Sequence, residues 1–112
     1  MKIIYLSGPI SGIEDLNRYN FKSAYFRFKN GPNVINPHDI SDKLKFLQFL
    51  PDKISWYLYM FFDLIALLFC YKIYMLDGWG NSRGAKIELK VAKFMKMEIE
   101  YEQKNGMTDE FR

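Results

Sequence analysis

The chain has 112 residues, 49% of them hydrophobic and 18% aromatic, which suits one domain and is too apolar for a disordered segment. Charged residues make up 26% and the formal net charge is only +3, so composition gives no electrostatic case for a nucleic acid polymer as partner. Cys70 is the sole cysteine, which excludes a disulfide framework and a Cys-rich metal pattern and leaves a cytoplasmic location as the default expectation.

Taken in chain order, residues 2–6 form a short β-rich run that ends in Ser7-Gly8-Pro9, the pattern of a buried strand stopped by turn chemistry. The opening segment is too short an apolar run for a signal peptide. Residues 17–29 carry Tyr19, Phe21, Tyr25, Phe26 and Phe28 among basic residues and stop at Asn30-Gly31-Pro32, which predicts a helix. Val34-Ile35 reads as a brief strand before a loop at 36–39, and 41–51 is ambiguous between a short helix and a structured excursion.

Residues 54–70 are interrupted only by Ser55 and Asp63. A bilayer span needs roughly 20 apolar residues, and a central carboxylate costs about 2.5 to 3.5 kcal/mol there. A buried or interface helix is therefore expected, with no membrane partner. A strand follows at 72–76, then the small-residue loop 77–84 and a helix over 85–95, whose Ile87, Val91 and Phe94 mark an apolar face opposite Lys86, Lys90 and Lys93. Residues 97–101 suit a final edge strand and 102–112 a polar tail, leaving 1–101 as the domain.

Alternation of strands and helices predicts a mostly parallel sheet of about four to five strands with helices on both faces, and ligands in such sheets sit beyond the carboxyl ends of the strands. The loops 7–12, 36–39 and 77–84 share that edge. In the first, Gly8 and Gly12 let backbone amides approach a ligand while Ser7 and Ser11 offer hydroxyls, although a tight turn has the same composition. In the third, Ser82 and Gly84 open a helix that carries Glu88. That carboxylate suits either a nucleophile or acid-base role in a pocket, or a solvated pair with Lys86 or Lys90. Asp63 must pair within the fold or face the pocket. His38 beside Asn36 is a lone histidine and no metal site. Trp56, Tyr57, Tyr59 and Phe62 suit a core or a subunit interface better than a base-stacking platform.

The runs Tyr5-Leu6-Ser7-Gly8-Pro9-Ile10-Ser11-Gly12, Val34-Ile35-Asn36-Pro37 and Gly78-Trp79-Gly80-Asn81-Ser82-Arg83-Gly84-Ala85 with Glu88, together with Asn17, Phe21, Met60 and Asp63-Leu64, resemble a family of small bacterial and phage proteins of unassigned function, DUF4406-like. That family in turn resembles the nucleoside 2-deoxyribosyltransferases and deoxynucleoside monophosphate N-glycosidases. The resemblance implies a flavodoxin-like fold and a homodimer or larger homo-oligomer. It implies Glu88 as nucleophile at the anomeric carbon of a nucleoside or nucleotide, Tyr5 positioning it, and Asp63 handling the proton of the leaving base. It also implies that Gly8, Ser11, Gly12 and the Ser82 region hold the sugar 5′ end or its phosphate, with no metal or redox cofactor. Ser7, Pro9, Asn17, Asn36, His38 and Gly84 complete the expected substrate-binding set. The chain departs from its relatives at Phe62, where a basic residue is usual, and at Tyr71, where many carry aspartate.

Overall fold

The computed structural model describes residues 2–10, 14–28 and 33–102. Four strands, β1 (Ile3–Ser7), β2 (Asn33–Ile35), β3 (Lys72–Met75) and β4 (Glu98–Tyr101), form one sheet in the order β2-β1-β3-β4. All three pairings are parallel, with Tyr5 opposite both Ile35 and Ile73. This is a flavodoxin-like three-layer arrangement. Helices α1 (Arg18–Arg27), α2 (Pro37–Lys43), α3 (Asp52–Leu68) and α4 (Arg83–Phe94) supply the crossovers.

Side chains alternate across β1, so the strand feeds two cores. Tyr5 joins Leu67, Ile73, Met75, Ala85 and Leu89 on the side of α3 and α4. Ile4 and Leu6 join Phe21, Ala24 and Leu76 on the side of α1. Burial on both faces explains why the inner strands read as continuous apolar runs rather than alternating ones.

The structure departs from the sequence-based expectations at 36–39 and on α4, and it resolves the stretch left open between them. The segment 36–39, expected as a loop, opens α2: Asn36 Oδ1 accepts from the His38 amide at 3.0 Å and Pro37 takes the first helical position, a capping arrangement that satisfies one free donor and places proline where its missing N–H does no harm. The ambiguous stretch after it is the end of α2 and a 3₁₀ turn, Lys45–Phe49. On α4 the buried positions are Ala85, Glu88, Leu89 and Ala92, and Phe94 is 86% exposed. Of the predicted Ile87-Val91-Phe94 stripe only Val91 packs against the core, and the inner face is instead made by two alanines, a leucine and an inward carboxylate.

Helix α3 covers the expected apolar segment, and among the described residues no helix is long and apolar enough to cross a membrane. Only Ser55, Met60 and Leu67 of it are buried. The predicted helix over 17–29 is α1, entered through a 3₁₀ turn, Glu14–Asn17. Its stop signal at Asn30-Gly31-Pro32 lies outside the described residues.

Candidate active site

Tyr5 and Ser7 stand two residues apart on β1 and therefore face the same side of the sheet, toward α4. Glu88 meets them there. The Tyr5 hydroxyl donates to Glu88 Oε2 at 2.6 Å and the Ser7 hydroxyl donates to Glu88 Oε1 at 2.6 Å. Glu88 is 5% exposed and Tyr5 and Ser7 are fully covered. The surface pairing with Lys86 or Lys90 that spacing alone allows is thus not the arrangement adopted: both lysines are exposed on the outer side of α4.

Burial pushes the Glu88 carboxyl up to about 7, while the hydrogen bonds from Ser7 and Tyr5 pull in the opposite direction by favouring its ionised form. Asp63 of α3 is pushed up to about 8, first by burial and then by the charge of Glu88. Burial and the Glu88 charge also raise Tyr5 well above the usual phenol range, which keeps its hydroxyl a donor. The three groups form one electrostatic unit. Ionised Glu88 favours the protonated form of Asp63. Both carboxyls are thus pushed up toward neutral pH, the range in which a carboxyl can exchange a proton with a bound molecule.

The loops around this unit are pinned by short contacts. Leu76 donates its amide to the Ser7 carbonyl at 2.7 Å, extending the β1–β3 ladder to the loop edge. A Cβ at Gly8 would stand 2.7 Å from Leu76 Cβ, so glycine is required there for the two strand ends to pass. Gly78, with φ +87, sits against the ring of Pro9 in a backbone region that glycine tolerates. The first and third loops are in this way packed against each other beside Glu88.

Several of the residues expected to touch substrate have their polar atoms engaged within the fold. Asn17, at φ 62, donates from Nδ2 to the Pro9 carbonyl at 2.8 Å and accepts from Asn20 at 2.7 Å, anchoring the first loop to the start of α1. Ser82 caps α4 by accepting from the Ala85 amide at 3.1 Å. Gly84 lies in the first turn of that helix, where a Cβ would meet the Met60 sulfur at 3.6 Å. Asn36 caps α2 and His38 is buried edge-on against Phe21 of α1, with centroids 4.8 Å apart. Asn36 and His38 line a cavity together with residues of α1, and Glu88, Asp63, Tyr5 and Ser7 are not part of its lining. Ser11 and Gly12 lie outside the described residues.

Three residues went unread in the sequence. Arg83 stacks over the Trp56 ring at 4.6 Å and reaches the Tyr57 hydroxyl, clasping α3 to the first turn of α4. Arg18 and Lys22, one helical turn apart on α1, line the Asn36–His38 cavity. Their spacing signals only a shared helix face. Among the described residues no group of three or more His, Cys, Asp or Glu side chains is placed to hold a metal ion.

The family model described as a domain of unknown function, DUF4406, matches residues 2–101. The chain belongs to the DUF4406 family. The DUF4406 match runs from the start of β1 to the end of β4 and so contains Tyr5, Ser7, Asp63 and Glu88 within one domain. No curated protein matches the chain.

Proposed function

We propose that this DUF4406 protein cleaves or exchanges the N-glycosidic bond of a deoxynucleoside or its 5′-monophosphate, with Glu88 as the nucleophile. The observation that carries this reading is the buried Glu88 carboxylate, held by two hydroxyl donors at the carboxyl edge of a parallel sheet beside a second carboxyl, Asp63, that stays protonated. Each Glu88 oxygen has a lone pair left after accepting one hydroxyl. One of them attacks the anomeric carbon, and the carbon–nitrogen bond breaks with its electron pair passing to the base. The Asp63 proton passes to the departing nitrogen. The ester between Glu88 and the sugar is then opened by water, whose proton returns to Asp63, or by the nitrogen of a second base. Tyr5 and Ser7 fix the direction of the carboxylate throughout.

In this reading copies of the chain associate through α3. Ile54, Tyr57, Phe61, Ile65 and Leu68 follow helical spacing and are 39% to 56% exposed, an apolar stripe of the kind that marks an association surface.

The test is incubation with a panel of deoxynucleosides and their 5′-monophosphates, with free base followed by chromatography. Base release by the wild type and none by Glu88→Ala is the expected result; release at an unchanged rate in the variant overturns the role of Glu88. A non-catalytic protein binding a nucleotide or an ADP-ribose-like ligand is the second reading, favoured by the engagement of both Glu88 oxygens with hydroxyls. It predicts tight binding with ligand recovered intact.

A further inference from the structure

Helices α3 and α4 meet in register on one face of the sheet. The Arg83 guanidinium lies 4.6 Å from the centroid of the Trp56 ring, a Cβ at Gly84 would meet the Met60 sulfur at 3.6 Å, and Leu67 shares a core with Ala85, Leu89 and Ala92. Asp63 comes three residues after Met60 and four before Leu67, and Glu88 comes four after Gly84 and four before Ala92. Helical spacing therefore puts both carboxyls on the seam between the two helices. We propose that Arg83 is a positioning residue: by clasping Trp56 and Tyr57 it sets the separation of Asp63 from Glu88.

The rest of α3 does little to fix that separation. Its buried residues are Ser55, Met60 and Leu67. Leu67 anchors the C-terminal half in the core. Ser55 is tied away from α4, its hydroxyl donating to the Leu47 carbonyl in the 3₁₀ turn at 3.2 Å. Met60 meets α4 at a glycine, which has no side chain to interlock with it. Arg83 supplies the firmer hold. Trp56 and Tyr57 set their rings nearly at right angles, at 80° with centroids 5.2 Å apart. The guanidinium reaches both, 4.6 Å from the first ring and 5.9 Å from the second, with a nitrogen 3.5 Å from the Tyr57 hydroxyl. A planar guanidinium stacks on one ring while its fork donates to a neighbouring oxygen.

Two turns of α3, about 10.5 Å along its axis, separate Trp56 from Asp63. Release of the clasp lets the first half of the helix part from α4 while Leu67 holds the second, and Asp63 moves with the freed half. Among the described residues the charged groups that act on Asp63 are Glu88 of α4 and, when ionised, Tyr5 of β1. Parting the helices brings water to Asp63 and takes it from Glu88, and both changes lower its pKa from about 8. A role for Arg83 as a nearby cation alone has the opposite sign, because removing a cation raises the pKa of a carboxyl. In the base release proposed above, the separation decides whether nucleophile and acid reach one bond together. That consequence rests on the proposed activity, whereas the placement of Asp63 does not.

The experiment is a pH titration of the Asp63 carboxyl carbon in the full chain by 13C NMR, the resonance being assigned by its loss in Asp63→Asn. Arg83→Ala should lower the Asp63 pKa from about 8 to about 7 or below, a change of about tenfold in its acid constant, with circular dichroism unchanged. Trp56→Leu should give the same fall, and the double variant no further fall, since the two side chains make one contact. Arg83→Lys, which keeps a cation over the Trp56 ring, should restore most of the wild-type value. Lys86→Ala, which removes a cation from the exposed side of α4, should leave the value unchanged. A rise in the Asp63 pKa with Arg83→Ala overturns the proposal, and so does an unchanged pKa accompanied by a lower melting temperature. The titration reads no base release, so absence of that activity would count against the proposed function and not against this role of Arg83.

Discussion

The Ser7 hydroxyl reaches Glu88 Oε1 at 2.6 Å across 81 positions of sequence, and Ser7 is the last residue of β1 before the first loop. The direction of the carboxylate and the course of the loop are therefore set by the same residue. Ser7→Ala removes one of two donors that favour ionised Glu88. A buried carboxylate that loses such a bond destabilises the fold by about 1 to 3 kcal/mol, measurable by urea unfolding. Its pKa also rises. Any activity that needs ionised Glu88 then shows its acid limb displaced to higher pH in a pH–rate profile, and Tyr5→Phe should act in the same direction.

Asp63 governs the response of stability to pH. Its folded pKa is about 8 against an ordinary 3.8, so between those values the folded chain holds a proton that the unfolded chain releases. The stabilisation is complete below the ordinary value and is lost as pH rises through the folded one. Glu88 works in the same direction over a narrower window, from 4.5 to about 7. Thermal melts of the wild type should fall between about pH 5 and pH 8. Asp63→Asn, which cannot ionise, should flatten that fall, with a difference of about 5 °C or more in Tm.

Gly8→Ala tests the closeness of the loop edge. The added methyl would lie 2.7 Å from Leu76 Cβ, and Leu76 cannot retreat while its amide is bonded to the Ser7 carbonyl at 2.7 Å. Overpacking of this kind costs about 1 to 3 kcal/mol. The denaturation midpoint should drop accordingly, while an unchanged midpoint would mean that the strand ends part easily.

Phe61, 56% exposed near the middle of α3, is the position from which to test association. A charge introduced there has little to disturb within one copy but would be desolvated between two. Phe61→Asp should shift sedimentation of the protein toward a single copy without altering its circular dichroism. An unchanged sedimentation coefficient would remove α3 from the interface.

The parts of this molecule that were legible in its sequence are those fixed by local chemistry. Apolar runs bounded by Gly, Pro and Asn announced β1 and β3, and the order of elements announced a parallel sheet. Asn36-Pro37 is itself a local signal, a cap followed by proline at the first helical position, yet the segment reads as a loop because the apolar periodicity that marks longer helices is missing from α2. The inward face of α4 was illegible for a different reason. A hydropathy pattern assigns Glu88 to the outside, and only the hydroxyls of Tyr5 and Ser7, distant in sequence, reverse that preference. The aromatic residues of α1 mislead in the opposite sense: Phe21 and Ala24 are its buried residues, while Tyr19, Tyr25 and Phe26 face outward. Which rings enter the core depends on where α1 crosses the sheet, and spacing along the helix does not contain that information.

Beside the site, one feature of the sheet bears on the behaviour of the protein at high concentration. Lys72 of β3 bridges Glu98 at 3.2 Å and Glu100 at 2.6 Å, and Arg27 reaches Glu100 at 2.7 Å. Those carboxylates lie on β4, the outermost strand on that side. An incoming β4 from another copy would lay its own glutamates against these, an opposition of like charges that disfavours strand addition. The cations that neutralise the row are spent inside each copy. An edge that carries charge in this way resists pairing with a second copy of itself.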